Sequence, residues 1–410
     1  MSKRLELEEA LALLLGELNK TEDTEKVFLS GAYGRILADD IRAPFSVPSF
    51  PKAAMDGYAV RAAEVESAAG DAPVELVVVG EQLAGEMLKK NENSNVVVGM
   101  SNTAVRIMTG ARVPEGYDAV VRQEDTDYGE TAVKIYKGVK PFTNYCKVGE
   151  DIREGETVLK AGARIGRIEA GVLASLGIAS LDVVRKLKVD IISTGTELKR
   201  PGEPLGEYDI YNSIAYTLSA SLSSTCFEAE SFICGDEGED IEKTLLTSLR
   251  ERKADIIITT GGVSVGKKDL LPEVLEKIGA KHIFDHVNVK PGTPTIGSVI
   301  DGVPILSLSG NPYAALANFD FYFPSIAAKL TGSDTFLTGV EKAVFNGNYD
   351  KVSPVRRLLR AGVKDGRVSL PGGGHASSVL SNLMDCNAYI DVPAGVTLSA
   401  GDEVIIRLMP

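Results

Sequence analysis

From about residue 185 the chain alternates short apolar runs with longer amphipathic ones. The run KVDIIST precedes a helix expected near 213 to 224. SFICGD precedes a second over 239 to 252, and ADIIITT a third over 269 to 278. Apolar strands separated by crossover-length helices dictate a parallel sheet covered by helices on both faces. Such sheets bind ligands beyond the carboxyl ends of their strands, so those ends are where function is sought first.

ADIIITT runs directly into GGVSVGKKD. Gly261, Gly262 and Gly266 permit tight turns and close backbone approach, and with Ser264 they form a loop suited to an anionic cofactor at a helix start. The loop lacks the Lys-Ser/Thr ending of a Walker sequence and the spacing of a dinucleotide fingerprint, which disfavours ATP hydrolysis and NAD binding. An ordinary glycine turn is the plain alternative.

KVDIISTGTEL brings Thr194, Gly195 and Glu197 to a second strand end, and FICGDEGED brings Asp236 and Glu237 to a third. With Asp269, the carboxylates of Glu197 and Asp236 would supply hard oxygen ligands for Mg²⁺ shared with substrate phosphates. Any one of them alone is equally well a helix cap or a solvated charge.

Elsewhere the grammar differs. Leu5, Leu11, Leu14, Leu15 and Leu18 predict an amphipathic opening helix ending near Asn19. Pro44, Pro48 and Pro51 favour an extended connector. Residues 52–144 read as a β-rich insertion, 145–178 as glycine turns followed by a short helix, and 336–410 as a small β-domain.

The insertion carries two stretches dense in turn and polar residues: AMDGYAV around Asp56, where Asp-Gly is also a common turn, and IMTGARVPEGYDAVVRQEDT around Thr109 and Glu124. Lys290, in VNVKPGTP, follows a strand within a proline-stiffened turn and would present a fixed ammonium group. His282 and His286, on one strand, would stand roughly 13 Å apart and are read as structural.

The formal charge of −13 argues against nucleic-acid binding by phosphate neutralisation and requires local cations wherever an anion binds. Cys146, Cys226, Cys234 and Cys386 form no CxxC pair, which fits a reducing cytoplasm. Glutamates interrupt the first apolar run, unlike a signal peptide, and no run approaches the roughly 18 apolar residues of a membrane span.

Taken in order, AMDGYAV, IMTGARVPEGYDAVVRQEDT, GEDIREGETVLKAGARI, STGTEL, TTGGVSVGKKD, VKPGTP and SGNP resemble the molybdenum insertases, bacterial MoeA and the related domain of gephyrin. The resemblance implies an α/β and β multidomain chain. A three-layer αβα molybdopterin-binding domain would comprise 1–25 with 180–335, and a connector 26–51 with 145–179. A β-rich insertion would span 52–144 and a C-terminal small β-barrel 336–410.

It further implies a homodimer with its active site between subunits, and transient contacts with the adenylyltransferase and with molybdoenzyme apoproteins. Adenylyl-molybdopterin and molybdate would be the substrates, with Mg²⁺ as cofactor. Roles carry over to Asp56, Thr109, Glu197, Asp236 and Asp269 in catalysis, and to Pro312 in the SGNP turn.

The family's KPGKP has Thr293 in place of its second lysine, leaving Lys290, and Ser309 and Ala53 are further departures. In SPVRRLLRA, Arg360 matches the arginine that helps hold molybdate. HASS aligns Ser377 with the serine of a Gly-Ser-Gly sequence. The competing activities are molybdopterin adenylylation and a non-catalytic gephyrin-like scaffold.

Overall fold

The computed structural model describes residues 4–91, 96–263, 270–373 and 376–409. The chain packs as two compact units, one of Met1–Asp39, Ala161–Ala170 and Ser180–Pro410, the other of Asp40–Lys160 and Gly171–Ala179.

The first unit is built on a six-stranded sheet in the order Phe227–Cys234, Leu187–Thr194, Ile256–Thr260, Val303–Leu308, Ile296–Ile300 and Lys281–Asp285. Successive strand residues face opposite ways, which divides the core in two. Ile191, Ile256, Ile258 and Leu306 pack with the opening helix and the helices Ser213–Ser221 and Pro312–Thr331. Ile192, Ile257 and Ile305 pack with Gly238–Thr247 and Leu271–Lys277. Helices thus cover both faces.

The first four strands are parallel, as expected, but the fifth, Ile296–Ile300, runs antiparallel to both its neighbours. The cause is local: Asp301 and Gly302 both have positive φ, 50° and 81°. That is the backbone of a two-residue hairpin turn, which forces Val303–Leu308 back beside Ile296–Ile300. The strand Lys281–Asp285 also stops before His286, whose φ is 55°, so the two histidines do not share one strand.

The opening helix, Leu7–Gly16, buries Leu7, Ala10 and Leu14 completely, and Leu18 follows in the same core. Each buried leucine contributes roughly 1.5–3 kcal/mol. The helix Pro312–Thr331, which the sequence reading did not single out, starts with Pro312 in its first turn and ends at Gly332, φ 69°. Proline has no N–H to leave unpaired there, and glycine accepts the left-handed cap without strain.

Five C-terminal strands, Val340–Phe345, Arg356–Lys364, Arg367–Ser369, Ala388–Val392 and Glu403–Leu408, close on one another as a barrel around Phe345, Leu359, Ala361 and Ile390. Val289–Lys290, leaving the α/β region, adds to Arg356–Lys364 as a parallel neighbour, with Lys290 opposite Arg357. Glu8 of the opening helix and Asp391 of the barrel share Arg356 and Arg407 in a four-membered ionic cluster.

The second unit centres on a mixed sheet ordered Lys89–Lys90, Val74–Gln82, Thr103–Ile107, Gly57–Val60 and Ala119–Arg122, with Ala132–Ile135 also paired to Val74–Gln82. Gly57 opens a strand rather than forming an Asp-Gly turn. A Cβ there would lie 1.9 Å from the Val121 carbonyl oxygen, so only glycine lets the two backbones approach.

Candidate active site

Two adjoining features of the first unit gather most of the residues singled out in the sequence. One is the carboxyl edge of the sheet. Thr194 closes the strand Leu187–Thr194, and its Oγ1 donates to the Thr260 carbonyl, 3.3 Å away on the neighbouring strand. The next residue, Gly261, has φ 91°, and a Cβ on it would lie 2.7 Å from Thr194 Oγ1. Gly262 follows with φ 68°. Both glycines are therefore demanded by backbone geometry and close approach.

Glu197 folds its carboxylate back over Gly195, where a Cβ would meet Oε2 at 2.7 Å. Asp236, from the adjacent parallel strand end, accepts from both the N–H and the hydroxyl of Thr196 at 3.2 Å. Asp236 and Glu197 thus stand on neighbouring strand ends joined through Thr196. Ser264, Gly266 and Asp269 lie outside the described residues.

The second feature is a cavity of about 310 Å³ lined by Lys290, Thr293, Ser309, Asn311, Tyr313, Arg357 and Ser377 together with apolar and backbone atoms. Its floor depends on Gly292, φ 88°, where a Cβ would fall 1.6 Å from Asn318 Nδ2. That amide donates to the carbonyls of Ala314 at 2.9 Å and Pro291 at 3.3 Å, tying the Lys290 turn to the long helix. Thr293 donates its hydroxyl to the Val289 carbonyl at 2.6 Å.

Ser377 contributes its backbone carbonyl as well, accepting from Tyr313 N at 3.0 Å in the first turn of the long helix. None of the described residues lining the cavity is acidic, in a chain of charge −13.

The turn Ser309–Pro312 belongs to both features. The Leu308 carbonyl just before it accepts from Gly261 N at 3.1 Å, while Ser309 and Asn311 line the cavity and Pro312 starts the helix behind it. Ser309 Oγ accepts from Asn311 N at 3.2 Å, which holds the turn where the family sequence has proline.

Arg360 is placed differently from Arg357. It is completely buried and does not line the cavity. Its guanidinium donates to the carbonyls of Ala376, at 2.7 Å, and Val379, and to Asn382 Oδ1 at 2.6 Å, and it lies 3.7 Å from the centre of the Tyr313 ring. Burial pulls its pKa below the ordinary arginine range, partly offset by the charge of nearby Tyr313. Strand alternation is the reason: three residues apart, Arg357 and Arg360 leave the strand on opposite sides. Arg360 instead fixes the segment bearing Ser377.

In the second unit, Asp56 Oδ1 accepts from both the N–H and the hydroxyl of Thr109 at 2.7 Å. Those bonds hold the Asp56 pKa below the usual carboxylate range. Asn311, Tyr313 and Arg357 were missed in the sequence. Arg357 carries the one readable signal, a second arginine beside Arg356, but its strand face could not be read without the pairing to Lys290.

Comparison with known proteins decides the family. The MoeA N-terminal region (domain I and II) matches residues 5–177, a probable molybdopterin-binding domain 190–328, and the MoeA C-terminal region (domain IV) 342–408. The molybdopterin molybdenumtransferase of Staphylococcus epidermidis is 34% identical over 385 residues, covering 93% of this chain and 90% of the relative. The chain belongs to the MoeA family.

The Bacillus subtilis molybdopterin molybdenumtransferase is 35% identical, covering 92% of this chain and 87% of its own length. A crystal structure of the molybdopterin biosynthesis MoeA protein of Pyrococcus horikoshii matches 99% of this chain and 100% of its own, with TM-score 0.83 and 30% identity. The MoeA relationship covers the sheet edge, the cavity and the barrel alike, and it also takes in the Asp56–Thr109 pair of the second unit.

Proposed function

We propose that this chain is a molybdenum insertase, converting adenylyl-molybdopterin plus molybdate to molybdenum cofactor plus AMP. The observation that carries this reading is the single turn Ser309–Pro312, which joins a glycine-shaped, carboxylate-bearing sheet edge to a cation-lined cavity. Such a pairing suits one substrate bearing phosphates and a second that is a small oxyanion.

At the sheet edge, Thr194, Gly195 and Gly261 would shape a close backbone approach for the phosphate-bearing portion, and Gly262 would offer it a backbone N–H. Glu197 and Asp236 would hold Mg²⁺ together with substrate phosphate oxygens. Among the described residues no three His, Cys, Asp or Glu side chains cluster as a self-sufficient metal cage. Two carboxylates on adjacent strand ends suit a cation that completes its shell with phosphate and water. When bound, Mg²⁺ supplies charge neutralisation at the scissile pyrophosphate.

In the cavity, Lys290 and the Ser377 segment would position molybdate. The protein's contribution is placement and electrostatic complementarity, with no covalent enzyme intermediate. Asp56 would act with its carboxylate kept ionised by Thr109, and the active assembly is a homodimer. The contacts with the adenylyltransferase and with molybdoenzyme apoproteins belong to the same reading.

Incubation of the purified chain with adenylyl-molybdopterin, Mg²⁺ and molybdate tests the reading. AMP release accompanied by molybdenum incorporation is expected. Adenylyl-molybdopterin left intact would point to a scaffold, and ATP-dependent AMP transfer onto molybdopterin would point to adenylylation.

A further inference from the structure

The turn that follows the strand Val289–Lys290 carries one cation, Lys290, because position 293 is threonine and its hydroxyl is already committed to the Val289 carbonyl. A tetrahedral dianion held by a single flexible ammonium group would be poorly neutralised and poorly oriented. The cavity, however, has a second cation. Arg357 stands directly opposite Lys290 in the parallel strand pair and lines the same wall.

The three arginines of SPVRRLLRA have separate fates. Arg356 is neutralised by Glu8 and Asp391. Arg360 is spent on the carbonyls and amide of the Ser377 segment. Arg357 takes part in none of the ion pairs found among the described residues. Its Nε is buried with no hydrogen-bond partner, and its guanidinium lies 5.6 Å from the centre of the Tyr349 ring. A buried, unpaired guanidinium N–H is costly unless a ligand completes it.

We propose that Arg357 is the second cationic arm of this cavity, supplying from the barrel strand the charge that Thr293 does not supply from the turn. This inference rests on the reading of the cavity as the molybdate site. It makes Arg357 a specificity-determining residue: a planar fork set across from an ammonium group favours a doubly charged tetrahedral oxyanion over a monoanion.

The test is equilibrium binding of radiolabelled molybdate to the full chain without adenylyl-molybdopterin, so that turnover plays no part. Wild type should bind saturably. Arg357→Ala should weaken binding by about tenfold or more, Arg357→Lys should keep part of the affinity, and Arg357→Ala with Thr293→Lys should recover most of it. Unfolding midpoints identify any variant that fails to fold, in which case Arg357→Lys and Arg357→Gln, which keep the stem, carry the test. If Arg357→Ala binds as wild type while Lys290→Ala does not, the Arg357 inference is overturned and the cavity reading stands. If neither substitution alters binding, or wild type does not bind molybdate, the cavity reading falls and the inference with it.

Discussion

At the sheet edge the groups gathered are carboxylates and glycine-shaped backbone, held by hydrogen bonds such as those from Thr196 to Asp236. In the cavity a few residues away they are Lys290, Arg357, hydroxyls and an amide, with no acid among the described lining. The two regions share the Ser309–Pro312 turn yet bear opposite charge. The contrast teaches a division of labour: an acidic edge can hold a divalent cation on a phosphate chain, whereas a basic cavity admits a small dianion that the acidic edge would repel.

Removing Arg360 should break the cavity side most severely. In Arg360→Met the carbonyls of Ala376 and Val379 lose their donors, and the Ser377 segment loses its anchor. We expect stability to fall by about 3–4 kcal/mol in urea unfolding, with molybdate binding lost and adenylyl-molybdopterin binding retained. Full molybdate binding in a folded Arg360→Met variant would show that the segment does not shape the cavity.

A smaller, pH-dependent effect should come from the long helix that walls the cavity at its start. Asp320 on that helix is buried, and burial pushes its pKa from 3.8 to about 7 against the opposing hydrogen bond from Tyr389, 2.6 Å away. Because the folded-state pKa is the higher one, its contribution is fully present below the ordinary carboxyl range and is lost as pH rises toward and through about 7. Asp320→Asn stays neutral. It should gain stability over wild type progressively from about pH 5, reaching on the order of 2–4 kcal/mol near pH 8. A gain that does not vary with pH would contradict this ionisation.

The smallest effect should be Thr293→Lys. Its added charge enters a cavity that already holds Lys290 and Arg357, so half-saturating molybdate should fall by only about threefold, with a steeper loss of affinity in salt. Adenylyl-molybdopterin binding should stay unchanged, and a change there instead would erase the boundary between the two regions.

The acidic edge was legible because its residues follow apolar strands directly: STGTEL and CGDEGED announce both the strand end and the carboxylate. The α/β layers were legible for the same reason. The antiparallel hairpin was signalled only by Asp301–Gly302, two residues whose positive φ values override the helical alternation upstream. The cavity resisted reading because it is made by register. Nothing local in SPVRRLLRA says that Arg357 lies opposite Lys290 whereas Arg360 turns into the protein to hold a loop.

The division of labour is tested most directly by measuring molybdate binding and AMP release side by side in Glu197→Gln and Lys290→Ala. The account predicts opposite losses: Glu197→Gln should bind molybdate as wild type yet release AMP slowly, and Lys290→Ala should bind molybdate weakly, with AMP release restored as molybdate is raised. If both variants lose the two properties in equal measure, the edge and the cavity act as one undivided site and the account is wrong.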